Sequence, residues 1–439
     1  MALGDDAVRV VITGVGVVSP IGIGHELFWS SLSAGRGGIA RLSSPFPGVG
    51  LPRLAGEING FDPLEFLPSR KLLKVMSRDI QLGVAASRLA IDDASLGRGD
   101  LDPDRVGVSF GAGRISSLPD DLAAATGLGD DGDDGDDGDV ADSIDWTRWG
   151  EDSLGRIAPM WLLKRLPNMS ACHVSIGLDA RGPNNTITSR DTSALLAMAE
   201  GVRVIERGAA DCMLVGASGS LLQPIDLVKW DLIRKFAQGE PDAATSCRPF
   251  DAGRDGAVPA EGSAAFVIER RDTANRRGAT ILAEVLGCGA GCDGRSDAGG
   301  GGGGEGLKNA IAGALGDAGI EPGELGHVNS GATGSPRDDA IEAAAIQEVL
   351  GASATDVPVT ALAGYLGHSD AGGGAMELAG CLLSVRHGQV PATAGFRSAD
   401  PDCRLDIVSQ ETRPTGNPVA MSCNRTEFGQ SAAVVIRAE

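Results

Sequence analysis

Apolar and polar positions along the chain fall into two alternating patterns. "RVVITGVGVV", "DCMLVGAS", "GSAAFVIER" and "AAVVIRAE" are near-continuous apolar runs, the pattern of strands buried on both faces. Ala-rich stretches of helical length lie between them, and the order repeats. Residues 86–113 read as a helix, an acidic Pro-bearing turn and a strand ending in small residues, and residues 310–334 have the same order at nearly the same spacing. Residues 185–218 read as strand, turn, Ala-rich helix, Arg-Gly and strand, and residues 357–395 follow the same plan. The pattern predicts two similar α/β halves, 1–272 and 273–439, joined at the charged stretch "RRDTANRRGATILAEV". Strands that alternate with helices and are buried on both faces predict a mostly parallel, layered α/β/α/β/α architecture.

Two segments interrupt this plan. "DDGDDGDDGD", inside a loop spanning 128–140, is a like-charged run that buries nothing and reads as a flexible, solvated loop. EF-hand spacing and its closing Glu are missing there, which argues against a calcium loop. The six-glycine run at 299–304 makes 297–305 a second flexible loop.

Charge narrows the partners. The 439 residues carry 59 acidic and 38 basic side chains, a net charge of −21, so the surface repels phosphate and predicts neither nucleic acid nor an anionic membrane as partner. The N-terminus starts acidic, without the basic region of a signal peptide, and no apolar run reaches the roughly 18 residues of a membrane helix. The eight cysteines are scattered and fit free, mostly buried thiols of a cytoplasmic protein, Cys172 and Cys423 among them. Cys288 and Cys292 lack a second ligand pair at zinc spacing, so neither a metal site nor a cofactor is expected.

The chemistry concentrates at "ITSRDTSALLAMAEG" (187–201), a strand running into a helix with Asp191 at the turn, where many enzymes place a nucleophile. A helix N-terminus carries about half a positive charge, so it stabilises a carboxylate as an anion and makes it a poor nucleophile. Followed by Thr192 and Ser193, Asp191 reads as an N-cap. Arg70, Lys71, Lys74 and Arg78 cluster on a predicted helix in "SRKLLKVMSRD", and Lys164 and Arg165 form another basic spot. In so acidic a protein they read either as a docking face for an acidic partner or as a solvated face engaged in salt bridges.

Several blocks, in order, carry a resemblance. "VVITGVGVVSPIGIG", "SCRPFDAGRDGAVPAEGSAAFVIE" (246–269), "VNSGATGSPRDDAIEAAAI" (328–346), "GYLGHSDAGGGAMEL" (364–378) and "CNRTEFGQSAAVVI" (423–436) are similar to blocks of the β-ketoacyl-acyl-carrier-protein synthases of the thiolase fold. The resemblance covers nearly the whole chain. It implies a cysteine thiolate at the strand-to-helix turn of the first half, two histidines that hold a thioester enolate, and a supporting lysine. At those positions stand Asp191, Gly331 in place of the first histidine, His368 as the second, and Ala363 in place of the lysine. Phe428 matches the gating aromatic of the last loop, and Thr333 and Asn424 in the same blocks are the other expected substrate contacts.

What the resemblance implies is a member disarmed for condensation, similar to the chain-length factors that pair with an active ketosynthase and shape its acyl tunnel. The implied partners are an acyl-carrier protein bearing a phosphopantetheine-bound acyl chain, and a homodimer or a heterodimer with an active ketosynthase. The alternative is a non-condensing enzyme in which Asp191 and His368 form an acid–base pair for dehydration, isomerisation, cyclisation or decarboxylation of the carrier-bound chain.

Overall fold

The computed structural model describes residues 8–43, 54–116, 154–233, 246–294 and 303–439, together with 118, 121, 151, 236 and 237. The acidic loop expected at 128–140 and most of the Gly-rich loop expected at 297–305 lie outside these residues.

The apolar runs form the strands. The first half supplies β1 (Val10–Ser19), β2 (Val106–Ala112), β3 (Asn184–Ile187), β4 (Cys212–Ser220) and β5 (Glu261–Arg270). The second supplies β6 (Ala283–Cys292), β7 (His327–Ser330), β8 (Pro358–Ala361), β9 (Asp406–Ile407), β10 (Val419–Arg425) and β11 (Gln430–Ala438). Across the ladder the order is β9-β8-β7-β10-β11-β6-β1-β5-β4-β2-β3. Each half therefore uses one five-strand topology: β3-β2-β4-β5-β1 in the first, β8-β7-β10-β11-β6 in the second. The halves join where Val10–Ile12 of β1 pair antiparallel with Ala283–Val285 of β6.

Strand direction departs from the expectation. β5 is antiparallel to both β1 and β4, and β11 is antiparallel to both β10 and β6. Parallel pairing is confined to the outer part of each half, β3-β2-β4 and β9-β8-β7-β10. An apolar run reports burial on both faces and carries no information about direction, so the ladder is mixed rather than mostly parallel. The second repeat also ends differently. Residues 389–390 form only a two-residue pairing with Arg413–Pro414, and the counterpart of β4 is β10, some thirty residues later in the chain.

The helices that matter for the site are α1 (Arg78–Asp93), α2 (Met169–Leu178), α3 (Ser193–Glu206), α4 (Pro224–Leu232), α5 (Glu305–Ala318), α6 (Pro336–Leu350) and α7 (Ala371–His387). α3 and α7 pack on each other and on strands of both halves, whereas α1 covers β1, β4 and β5 and α5 covers β6 and β11 from outside. This is the layered α/β/α/β/α arrangement. The sequence of α7 dictates its central place: all of it except Gly373, Arg386 and His387 is buried, so no polar face is left for water. Leu195 and Met198 of α3 and Met376 and Leu382 of α7 share one core cluster with β1, β5 and β11.

The outer layers seat by the same device in both halves. Added Cβ atoms at Gly14 and Gly16 of β1 would collide with the Ala90 and Ala86 carbonyl oxygens of α1, and at Gly287 and Gly289 of β6 with those of Ala314 and Ala310 in α5. Helix backbone thus rests directly on strand backbone at these four glycines. No described helix is long and apolar enough to cross a membrane.

Gly16→Val and Gly289→Val should each lower stability by about 3 kcal/mol or prevent folding, the upper range for overpacking. Denaturant unfolding of the purified variants measures this, and two near-native midpoints would contradict the close-seating account.

Candidate functional site

The turn after β3 delivers the first acid. Arg190–Thr192 form one 3-10 turn before α3, and Arg190 adopts φ 51, a left-handed conformation unusual for a side chain with a Cβ. Local hydrogen bonds fix the turn: Ser189 N–H donates to Ser193 Oγ at 2.9 Å and Thr192 Oγ1 donates to the Ser189 carbonyl at 2.8 Å. The N-cap position of α3 belongs to Thr192, and Asp191 makes no capping hydrogen bond to the helix. The N-cap expectation is therefore corrected, because the turn tightens one residue earlier and points the carboxyl elsewhere. It faces His368, with Asp191 Oδ1 3.4 Å from His368 Nδ1, the two side chains 14% and 8% exposed.

The other wall comes from the loop after β7 and the start of α6. Asp339 accepts from the backbone N–H groups of Phe250, Thr333 and Gly334, and Glu342 accepts from Ser330 Oγ and, at 2.8 Å, from Gly331 N–H. Arg254, from the "RPFDAGRDG" motif, donates to the Pro336 carbonyl at 2.9 Å and pairs with Asp400. Asp251 of the same motif accepts from the N–H groups of Arg397 and Ser398, both at 2.7 Å. The motif's role is structural, stapling three loops beneath the site. The resulting open cleft, lined among others by Asp191, Trp230, Thr333, Asp338, His368 and Glu427, has a volume of about 40 Å3.

Arg190 organises its mouth. Its Nε donates to Asp370 Oδ1 at 2.9 Å, its Nη1 pairs with Glu427, and its guanidinium lies 4.6 Å over the Trp230 ring and 5.8 Å from the Phe428 ring centroid. Asp370 also adopts a left-handed φ, 54. The Trp230 ring in turn stands edge-on to His368, centroids 5.3 Å apart. Arg190 thus pairs with Asp370 and Glu427 rather than with its neighbour Asp191.

Electrostatics reverse one expectation. Burial, followed by the charge of Asp370, pushes the Asp191 carboxyl up to about 7, against the opposing pull of Arg190. The helix terminus was expected to hold it as an anion, and desolvation outweighs that effect. Burial also raises Asp339 and Glu342 to about 7 and Glu377 of α7 to about 8. Among the described residues no group of three or more His, Cys, Asp or Glu side chains is placed to hold a metal ion.

Other positions singled out from the sequence are distributed as follows. Gly331 and Thr333 line the cleft, and a Cβ on Gly331 would collide with Asn424 Nδ2. Asn424 is buried and donates to Glu377, so it backs the site instead of lining it. Ala363 lies apart, in an apolar cluster with Ile39, Leu54, Cys247 and Val258. Phe428 does not line the cleft; it lies beside Arg190, 57% exposed. Arg70, Lys71 and Lys74 are exposed on a 3-10 segment, Arg70–Val75, where a regular helix was expected, and α1 begins only at Arg78. Arg78 does not join them: it is bidentate on buried Glu261, at 2.7 and 2.9 Å. Lys164 and Arg165 are both paired with Asp121. Trp230 lies in no block singled out from the sequence, and Asp370 and Glu427, though inside two of those blocks, are revealed as site residues only by their meeting in space.

Two family models match the chain: "Beta-ketoacyl synthase, N-terminal domain" over residues 7–274 and "Beta-ketoacyl synthase, C-terminal domain" over 282–397. The chain belongs to the β-ketoacyl synthase family. It is 34% identical over 432 residues to the tetracenomycin polyketide synthase ketoacyl synthase alpha subunit of Streptomyces glaucescens, covering 98% of this chain and 97% of that one. Identity to the 3-oxoacyl-[acyl-carrier-protein] synthase 2 of a Synechocystis species is 31%, over 96% and 95% of the two chains. In structure, this ketosynthase-family chain is similar to the ishigamide ketosynthase/chain length factor, at TM-score 0.83 and 27% identity over 99% of this chain and all of that one. It is also similar to a type II PKS acyl-carrier protein complex with its ketosynthase bound to the hexaketide, at TM-score 0.82 and 25% identity, with 99% and 100% coverage. The layered fold is the thiolase-like fold of these ketosynthases.

Because Asp191 titrates near 7 in the fold and near 4 when unfolded, the native state binds the extra proton between those values, and stability falls as pH rises through that window. Asp191→Asn should therefore lose less thermal stability than the parent protein between pH 5 and pH 8. Melting curves across that range test this; parallel losses would mean that Asp191 is not a buried, proton-holding group.

Proposed function

We propose that this chain is the non-condensing partner of an active β-ketoacyl synthase in polyketide assembly, similar in role to a chain-length factor. The observation that carries the reading is the carboxyl of Asp191 at the head of α3. A carboxyl there offers no thiolate to hold a growing acyl chain, and acylating it would give a hydrolysable mixed anhydride. The two other substitutions agree with it. Gly331 leaves no imidazole beside His368, and Ala363 puts a methyl group in an apolar cluster where the family's lysine is expected.

The surface supports an assembly of two chains. β3 is an edge of the ladder, its Asn184 and Asn185 exposed, and neighbouring α2 exposes Ile176 at 75%. An edge strand flanked by apolar surface favours pairing with another chain. The relative named as a ketosynthase/chain length factor makes a cysteine-bearing ketosynthase the first occupant to test, with a second copy of this chain as the other. Arg70, Lys71 and Lys74 supply exposed positive charge beside exposed Met160 and Leu162, a face suited to an acidic carrier protein.

A second reading rests on a specific contact. Asp191 and His368 stand 3.4 Å apart, and a carboxyl poised near neutrality beside an imidazole is suited to proton transfer on a carrier-bound chain. Incubating the chain with acyl-carrier protein and following its intact mass separates the readings. Turnover abolished by both Asp191→Asn and His368→Ala supports the enzyme; no turnover, together with a stable complex on co-expression with a cysteine-bearing ketosynthase, supports the subunit.

Charge reversal of Arg70, Lys71 and Lys74 together should weaken carrier-protein binding about tenfold at low salt and little at high salt. Arg78→Glu should instead destabilise the fold, by leaving Glu261 buried without its cation. Titration calorimetry at two ionic strengths, with melting curves as control, distinguishes the two; unchanged affinity in the triple variant would remove this docking face.

A further inference from the structure

We infer that the open cleft between the loop 35–39 and the segment 392–396 is a second binding site, taking a neutral ring compound that offers carbonyl oxygens to Tyr365 and Thr393.

The cleft lies beside β8 and β9, at the end of the ladder away from β3. Its walls are the loop after the helix His25–Ser33, the turn Ala363–Leu366 that follows β8, and the segment 392–396, with Gln410 beside them. At about 400 Å3 it falls in the roughly 300–1,000 Å3 range of small-molecule sites, and it shares no lining residue with the Asp191 cleft. Backbone bonds tie the walls in place. Gly38 N–H donates to the Tyr365 carbonyl at 2.8 Å, Thr393 N–H to the Val408 carbonyl at 2.8 Å, and Val408 N–H to the Val359 carbonyl at 2.9 Å. A site held in this way is formed before its ligand arrives, which lowers the cost of binding.

Tyr365 carries the inference. Its side chain is 3% exposed, and among the described residues its hydroxyl has no hydrogen-bond partner. A tyrosine buried this far ordinarily gives its O–H to an acceptor, because an unpaired buried donor is destabilising. Burial also pushes the phenol up to about 12, so the proton stays on at neutral pH and the group is a donor. Thr393, 2% exposed, adds a second donor: its Oγ1 accepts from Ala361 N–H at 3.2 Å, and its own proton has no acceptor among the described residues. Two buried donors in one cleft call for acceptors on the ligand.

The rest of the lining sets its character. No acid, lysine, arginine or histidine lines the cleft, so an ion would lose water there without gaining a counter-charge. Ile39 and Phe396 supply apolar contact, and side-chain-free Gly37 and Gly364 leave a smooth floor on which a flat ring can lie. A neutral, planar molecule with carbonyl oxygens meets all of these conditions. The inference does not rest on the subunit reading, and either can fail without the other.

Chromone, a neutral two-ring ketone, is the probe, and its binding to the full chain is followed by ligand-observed NMR titration. Saturable binding with a dissociation constant below about 1 mM is expected. Tyr365→Phe should weaken it about five- to tenfold, the loss of one neutral hydrogen bond. Gly37→Leu should abolish it: a Cβ there meets its nearest neighbours, Gly364 and Tyr365, at 3.8 Å, so the side chain fits and fills the floor. Asp191→Asn, in the other cleft, should bind as the parent does. Melting curves report whether each variant is folded, and if one of the two cleft variants is not, the other decides. No saturable binding to the parent, unchanged affinity in a folded variant at Tyr365 or Gly37, or loss of binding in Asp191→Asn would overturn the site.

Discussion

The burial of two helices, α3 and α7, back to back against strands of both halves is the constraint from which the rest follows. A helix clad on every side has no polar face, so its sequence must be mostly small and apolar, as α7 is apart from buried Glu377 and Ser384 and the Arg386–His387 end. The layers outside must then seat closely, which the paired glycines of β1 and β6 permit. The same burial fixes the site. The turn before α3 contacts α7 directly, so the two segments leading into the central helices, one holding Asp191 and the other His368 and Asp370, meet although about 180 residues separate them.

Charges gathered at this meeting point are neutralised in two different ways. Toward the solvent, carboxylates are paired: Glu427 and Asp370 with Arg190, Asp338 with Arg425. Toward the core, burial raises Glu342 and Glu377 to about 7 and 8, so that the acids hold protons instead of finding cations. Asp191 lies at the border between these regimes, within reach of both a cation and an imidazole and still largely desolvated. Its position near neutrality is thus a property of the layered burial and not of the turn alone.

Much of this was legible in the sequence, for physical reasons that can be named. Apolar runs and Ala-rich stretches report burial, so the layered halves could be read, while strand direction could not, because β5 buries both faces whichever way it runs. Asp191 and His368 were found because each lies in a block with a recognisable neighbourhood. Arg190 and Glu427 stand in quoted stretches too, and Trp230 in none, but their relation exists only across 40 to 237 residues of chain and needs the fold to bring them together. Arg78 was misread for the mirror-image reason. Beside Lys71 and Lys74 it looks like one more surface cation, and its buried partner Glu261 lies 183 residues away.

The side chain of Asn424 decides what position 331 can hold. With its amide donating to Glu377, it occupies the space into which any side chain on Gly331 would grow. Position 363, for its part, is enclosed by Ile39, Leu54, Cys247 and Val258, which would leave an ammonium group without water. A histidine at 331 or a lysine at 363 would thus each meet ground that is already filled, the one by an amide and the other by apolar side chains.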